Sequence, residues 1–436
     1  MKTSTIQCIL ALAAVAGSFT DARGQTSATR ADSRNTPAVA VEASKVKLPE
    51  PSGTFGVGRV GYEWIDASRP DAYSLDPVDP GAPHAPRALM VYLWYPAPRI
   101  AAGSSGVYLP GAKEMDADSA AQPLAKEEFG EVWTQIRNGD LKSHAREGAP
   151  AVQSPRKFPV VIFSHGLGGS GFEYTALIEE LVSHGYVVVA IEHTYTGLAV
   201  VFPDGKVISQ RRDATPAGIS SEQRMQRMFA SAGLAIKQGA EDVVFVLNKL
   251  AALDHAGNPE FPLGGRLDLT RVAAMGHSAG GAFATRACQL DARIRACISL
   301  DGALPPASAF PEFPDKKRFQ QPVLLLEVDH AGDRMPYSPE QYADFLKIKD
   351  GELKLCPPGS YDVVLKAAGL FHGGFSDYPL LAANGRMAET EQALHNLRLT
   401  ESFARAFLDQ TLKGTAETLL RPGSQSVEAT VKAYGN

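Results

Sequence analysis

Arg271-Val272-Ala273-Ala274-Met275-Gly276-His277-Ser278-Ala279-Gly280-Gly281-Ala282 decides the fold of this 436-residue chain. Arg271–Met275 reads as a short buried strand and Gly280–Gln289 as a helix, with Gly-x-Ser-x-Gly between them. A serine on so sharp a strand-to-helix turn needs small neighbours, because the backbone folds back on itself there. Its hydroxyl then stands exposed at the C-terminal edge of the strand. The N-terminus of the helix behind it favours developing negative charge. Ser278 therefore reads as a nucleophile.

The flanking sequence supplies a sheet for this turn. Phe158–Phe163, Tyr186–Ile191, Ile294–Leu300, Val323–Val328 and Tyr361–Ala367 are further apolar, β-branched strands. Unbroken apolar strands are covered on both faces. Helices are expected around Tyr174–Ser183, Ala232–Ala252 and Glu391–Leu412. Strands alternating with helices indicate a mostly parallel α/β sheet. Gly56–Val60 and Ala88–Tyr95 read as the first strands, joined by a Pro- and Asp-rich loop. Two long connections, near 98–157 (with a helix at Ala125–Arg137) and near 200–228, read as insertions. No linker divides the alternation, so 45–436 is expected to be a single domain.

The N-terminus reads as a segment outside the fold. Lys2 precedes the apolar run Ile9–Ala16, which is too short to span a bilayer, and Ala22-Arg23-Gly24 offers small residues for cleavage before Gln25. Ala14-Val15-Ala16 is an earlier alternative. A signal peptide over 1–24, a flexible leader over 25–44 and a secreted or periplasmic location are the expectation. No other run is long and apolar enough to cross a membrane. Cys8 would leave with the signal. Cys288, Cys297 and Cys356 remain, either as small buried apolar residues or as one bridge plus a free thiol.

Composition excludes several classes. Hydrophobic residues are 44% and charged residues 21%, a globular rather than disordered balance. The net charge is −5 and no basic stripe exists, which argues against nucleic-acid binding. There is no His-Glu-x-x-His and no Cys/His cluster, so neither metal nor cofactor is expected.

A serine hydroxyl needs a base to take its proton and an acid to orient that base. On an α/β-hydrolase sheet the chain order is serine, acid, histidine. Three of the ten histidines, His330, His372 and His395, follow Ser278. His395 falls inside a predicted helix. His372, in Gly369-Leu370-Phe371-His372-Gly373-Gly374-Phe375, lies in a glycine-flanked loop after a strand and is the preferred base, with His330 second. Asp301 and Asp329 each end a predicted strand, and spacing leaves both open as the acid. Ser164-His165-Gly166-Leu167-Gly168-Gly169 follows the strand ending at Phe163. Its Leu167 N–H, with that of Ala279, is the expected oxyanion hole. His165 reads as a brace for this loop.

These segments resemble the secreted platelet-activating factor acetylhydrolase family. Phe163–Gly168 resembles its oxyanion loop, Ser183-His184-Gly185-Tyr186 through Glu192-His193 its next helix end and strand, and Gly276–Gly281 its serine turn. Leu300-Asp301 resembles the strand end carrying its acid, and Phe371-His372 with Phe375 and Asp377 its His-x-x-Phe-x-Asp stretch. Leu48–Gly53 and Trp94-Tyr95-Pro96 resemble its N-terminal signatures. The resemblance implies the α/β-hydrolase fold, selects Asp301 and His372, and implies calcium-independent hydrolysis of short or oxidised acyl esters of phospholipids. Residues 98–157 and 200–228 differ from the family's membrane-docking elements. General esterases, polyester hydrolases and serine amidases or peptidases use the same fold and triad. A non-catalytic binding protein is the remaining alternative, opposed by the intact Ser278, Asp301 and His372 set.

Overall fold

Every residue of the strand Phe158–Ser164 is buried, and its side chains divide between two cores. Val161 and Phe163 join one hydrophobic cluster, while Val160 and Ile162 join a second on the opposite face. Val188 and Ala190 of the neighbouring strand divide from Val187, Val189 and Ile191 in the same way. Side chains alternate across a pleated strand, so an apolar residue at every position requires cover on both faces.

The computed structural model describes residues 46–71, 85–99, 105–212, 218–255, 258, 261–302, 304, 318–330, 339–422 and 427–435. The expected signal peptide and leader lie outside the described residues. In chain order the strands are β1 (Gly56–Pro70), β2 (Pro86–Ala97), β3 (Arg146–Glu147), β4 (Phe158–Ser164), β5 (Val187–Glu192), β6 (Ala199–Val201), β7 (Val207–Ser209), β8 (Leu267–His277), β9 (Ile294–Leu300), β10 (Val323–Val328), β11 (Ser360–Leu365) and β12 (Ala429–Tyr434). Ten of them form one sheet in the order β12-β11-β10-β9-β8-β4-β5-β2-β1-β3. From β5 through β11 all neighbours are parallel. The β1–β2, β2–β5 and β11–β12 pairs are antiparallel. This is the α/β-hydrolase sheet expected from the sequence. Central β8 and β4 end side by side, with Ser164 paired to Gly276, so the serine turn and the loop after β4 share one edge.

Several elements differ from the sequence expectation. The helix expected at Ala232 begins at Ser221 and runs to Leu253. Ser220 caps it, its hydroxyl accepting the Gln223 N–H while the Gln223 side chain accepts the Ser220 N–H. Its first turn, 221–224, is polar and gives no apolar face to read, although Met225, Met228 and Phe229 beyond it already keep helical spacing. Before them, β6 and β7 pair as a separate hairpin. The helix expected over Ala125–Arg137 is two helices, Ala121–Phe129 and Trp133–Arg137, separated by a 3-10 turn. Gly130, at φ +50°, starts the break. β3, β12 and the helix Pro339–Leu353 carried no expectation. Cys288 and Cys297 form a disulfide joining the helix Ala279–Leu290 to β9, and Cys356 is a buried free thiol.

Candidate active site

Ser278 joins β8 to the helix Ala279–Leu290 with φ +55° and ψ −120°, a conformation that L-residues with side chains rarely adopt. The glycines around it are steric requirements. A Cβ on Gly276 would lie 2.2 Å from the Gly280 carbonyl oxygen, and one on Gly280 would lie 2.1 Å from that of Ser164. The elbow helix can press against the end of β4 only with glycine at both places. The expected exposure of the hydroxyl is not observed: Ser278 is fully buried, whereas Leu167 and His372 beside it are only partly covered. His372, beyond β11, and Gly166, beyond β4, both lie close against the serine. Such a dry setting strengthens each hydrogen bond at the site.

His372 opens a 3-10 turn, His372–Phe375, in the loop beyond β11. Its Nε2 lies 2.9 Å from Ser278 Oγ and its Nδ1 lies 2.6 Å from Asp301 Oδ2. A buried carboxylate accepts, so Nδ1 carries the proton and Nε2 is left to accept the serine hydroxyl. Asp301 follows β9 directly. Its other oxygen, Oδ1, accepts the Val328 N–H at 3.1 Å and His330 Nε2 at 3.1 Å. Burial alone would raise the Asp301 pKa. The hydrogen bonds from His330 and His372 outweigh it and hold the carboxyl far below the usual range. The structure thus brings Ser278, His372 and Asp301 together. His330 engages the Asp301 oxygen that His372 does not use. Asp329 is exposed, one residue past β10. His395 lies in the helix Met387–Lys413, half exposed and bonded to Glu428 at 2.7 Å.

The loop after β4 is held through buried histidines. His165 Nε2 accepts the His193 N–H at 3.1 Å, so its Nδ1 carries the proton and donates to the Gly166 carbonyl at 2.7 Å. Burial, with the nearby His193, pushes the His165 pKa down to about 3, and the ring stays neutral. Gly168, at φ +78°, donates its N–H to the Thr196 carbonyl at 2.7 Å. Neither the Leu167 nor the Ala279 amide donates to a protein acceptor among the described residues. Both are therefore available to an oxyanion.

Sequence reasoning missed the support beneath this loop. Ser164 Oγ lies 3.0 Å from His193 Nε2, His193 Nδ1 lies 2.9 Å from Asp242 Oδ2, and that carboxylate accepts Arg87 at 2.7 Å. The residue types repeat those of the candidate triad, but every member is buried and Arg87 neutralises the acid. The set therefore reads as a floor for β4, β5 and the long helix. The tyrosine and histidine that link the loop to the serine turn, Tyr174 and His277, were missed as well. Among the described residues no group of three or more His, Cys, Asp or Glu side chains is placed to hold a metal ion.

Comparison with known proteins bears on the same features. The family model described as platelet-activating factor acetylhydrolase, isoform II, matches residues 40–395. A platelet-activating factor acetylhydrolase from Gallus gallus is 26% identical over 278 residues, 58% of this chain and 60% of the relative. One from Cavia porcellus is 31% identical over 179 residues, 37% of this chain and 39% of the relative. A probable 1-alkyl-2-acetylglycerophosphocholine esterase from Arthroderma benhamiae is 25% identical over 271 residues, 60% of each chain. The chain thus spans between 39% and 60% of the length of these relatives. Among solved structures, a ferulic acid esterase from Streptomyces cinnamoneus superposes with a TM-score of 0.63 at 28% identity, covering 89% of this chain and 99% of that one.

Proposed function

Because the chain belongs to the platelet-activating factor acetylhydrolase isoform II family, we propose that it is a serine-dependent carboxylic ester hydrolase cleaving short acyl esters, acetylated phospholipids among them. The observation that carries this reading is the single hydrogen-bonded line from Ser278 through His372 to Asp301.

Ser278 Oγ attacks the ester carbonyl carbon as His372 Nε2 takes the hydroxyl proton, and the carbonyl π pair moves to oxygen. The Leu167 and Ala279 amides bind that oxyanion. Asp301 keeps Nδ1 protonated and stabilises the imidazolium. Collapse breaks the bond to the leaving alkoxide, which takes the proton from Nε2 and departs as alcohol, leaving acyl-Ser278. Water then gives a proton to His372 and attacks the acyl carbon. Breakdown of the second oxyanion releases the acid and returns the proton to Ser278.

A fluorophosphonate probe tests the nucleophile. Labelling of the native chain and none of Ser278→Ala is expected, with turnover reduced by about 10⁴ to 10⁶ in the variant. A variant keeping a tenth of the activity overturns the assignment. The ferulic acid esterase likeness, which spans nearly all of that enzyme, favours a second reading in which the acyl group is larger and aromatic. Parallel rates on a 2-acetyl ether phospholipid, methyl ferulate and an anilide separate lipid esterase, aryl esterase and amidase.

Export is part of the same proposal. The pattern from Lys2 to Gly24 supports it, and a Cys288–Cys297 disulfide suits an oxidising compartment. N-terminal sequencing of exported protein should begin near Gln25, and a retained Met1 would contradict cleavage.

A further inference from the structure

Three parts of the site (the loop after β4, the serine turn and the histidine loop) come from distant stretches of chain, and one buried path joins them. The Gly166 N–H donates to Tyr174 Oη at 3.3 Å. Tyr174 Oη lies 2.7 Å from His277 Nδ1, and His277 Nε2 lies 2.8 Å from the His372 carbonyl oxygen. We propose that Tyr174 and His277 are positioning residues that lock the oxyanion loop and the histidine loop to the serine turn in one register. The proposal rests on the roles given above to Ser278, His372 and Leu167.

The proton order along the path follows from chemistry. A carbonyl can only accept, so the His277 proton is on Nε2. Nδ1 of the neutral ring must then accept, and the Tyr174 hydroxyl donates to it. The Tyr174 oxygen keeps a lone pair for the Gly166 N–H. Each group has a partner of the right kind, which makes a buried polar path rigid. Burial, with repulsion from His372, pushes the His277 pKa down to about 3, so the ring remains a neutral donor and acceptor.

Position gives the path its leverage. His277 precedes Ser278, and its ring centroid is 4.7 Å from that of His372 and 5.8 Å from that of Phe375. His372 holds two side-chain bonds from a short turn, so its backbone must stay fixed for Nε2 to remain at the serine. The carbonyl bond to His277 supplies that fix. At the other end, Gly166 stands next to Leu167. A Cβ on Gly166 would lie 3.3 Å from His277 Nδ1, so glycine permits the close approach.

The test compares Tyr174→Phe, His277→Phe, their double variant and His277→Gln, read as kcat and KM on p-nitrophenyl acetate and as Tm. Phenylalanine keeps the ring packing and deletes the hydrogen bonds. Loss of one such bond is worth about 1 kcal/mol, so each Phe variant should lower kcat by about fivefold or more while KM stays within about twofold. The double variant should lose less than the product of the two single losses, because both cut one path. Glutamine carries a donor and an acceptor, and His277→Gln should recover most of the lost kcat. Unchanged kcat in Tyr174→Phe, losses that multiply in the double variant, or a His277→Gln as poor as His277→Phe would each overturn the proposal. Should His277→Phe fail to fold, Tyr174→Phe, which deletes a single oxygen, decides alone through its kcat and KM. An error in the underlying reading shows differently, as a native chain without esterase activity or an active Ser278→Ala.

Discussion

His165 Nδ1 donates to the Gly166 carbonyl at 2.7 Å, and this bond orients the Leu167 amide. Gly166 C=O and Leu167 N–H belong to one planar peptide unit and point in opposite directions across a trans bond. Holding the oxygen toward His165 turns the N–H away from it, where an oxyanion can be met. The buried neutral ring thus braces the peptide unit whose amide is proposed to meet the oxyanion. His165→Ala should reduce kcat by about 10- to 100-fold with a small change in KM, since one donor of an oxyanion hole contributes up to about 10² to 10³. His165→Asn, whose amide nitrogen can take the place of Nδ1, should restore part of kcat. Equal losses in both variants, accompanied by equal losses in Tm, would show that the ring only fills space.

The serine turn, the central strands and His372 were legible because steric rules there leave few alternatives. Gly276 and Gly280 cannot be anything larger, and a strand buried on both faces is apolar along most of its length. The choice of Asp301 over Asp329 was not legible from spacing, because it depends on which strand end lies under His372. The resemblance, not the pattern, favoured Asp301. His277 was legible only as a variable position inside Gly-x-Ser-x-Gly. Its two partners lie 103 and 95 residues away, so no local signal could reveal them. The early start of the long helix was hidden for a different reason: its capped first turn, 221–224, is polar, so the apolar spacing that begins at Met225 has no marked start in the sequence.

Glu192 gives the fold a pH dependence of its own. The residue ends β5, fully desolvated, and its Oε1 accepts the Gly171 N–H at 2.7 Å. Burial is the dominant effect and pushes its pKa up to about 7, against an ordinary value of 4.5. Between those two values the native state holds a proton that the unfolded chain has released. Stability therefore falls as pH rises from about 4.5 to about 7, and the cost is constant above that range. The accumulated cost is about 3 kcal/mol at pH 8. Glu192→Gln resembles the protonated acid and keeps an acceptor for Gly171. Thermal melts at pH 5 and pH 8 should show the variant close to native at pH 5 and more stable than native at pH 8. A variant less stable than native at pH 8 would mean that the fold favours the charged carboxylate over the neutral acid, and that the Glu192 pKa is not raised.

Asp301 carries the sharpest expectation about the acid. Its Oδ2 accepts His372 Nδ1–H at 2.6 Å, while Oδ1 is engaged by the Val328 amide and His330. The carboxylate is therefore fixed from behind, and only Oδ2 faces the base. Asp301→Asn can present an N–H to the ring, which favours the tautomer with its proton on Nε2 and denies Ser278 an acceptor. A loss of about 10² to 10⁴ in kcat is expected from such a tautomer error. His330 bonds the acid while His372 holds the Ser278 hydroxyl, so His330→Ala should cost far less, about tenfold or below, through a looser carboxylate. Asp329 is exposed one residue beyond β10, and Asp329→Asn should stay within about twofold of native, as surface changes do. Rates of the three variants on one acetyl ester, with melting temperatures to confirm folding, check the order. If Asp329→Asn is the crippling change while Asp301→Asn remains active, the base takes its orientation from the other strand end and the assignment of Asp301 fails.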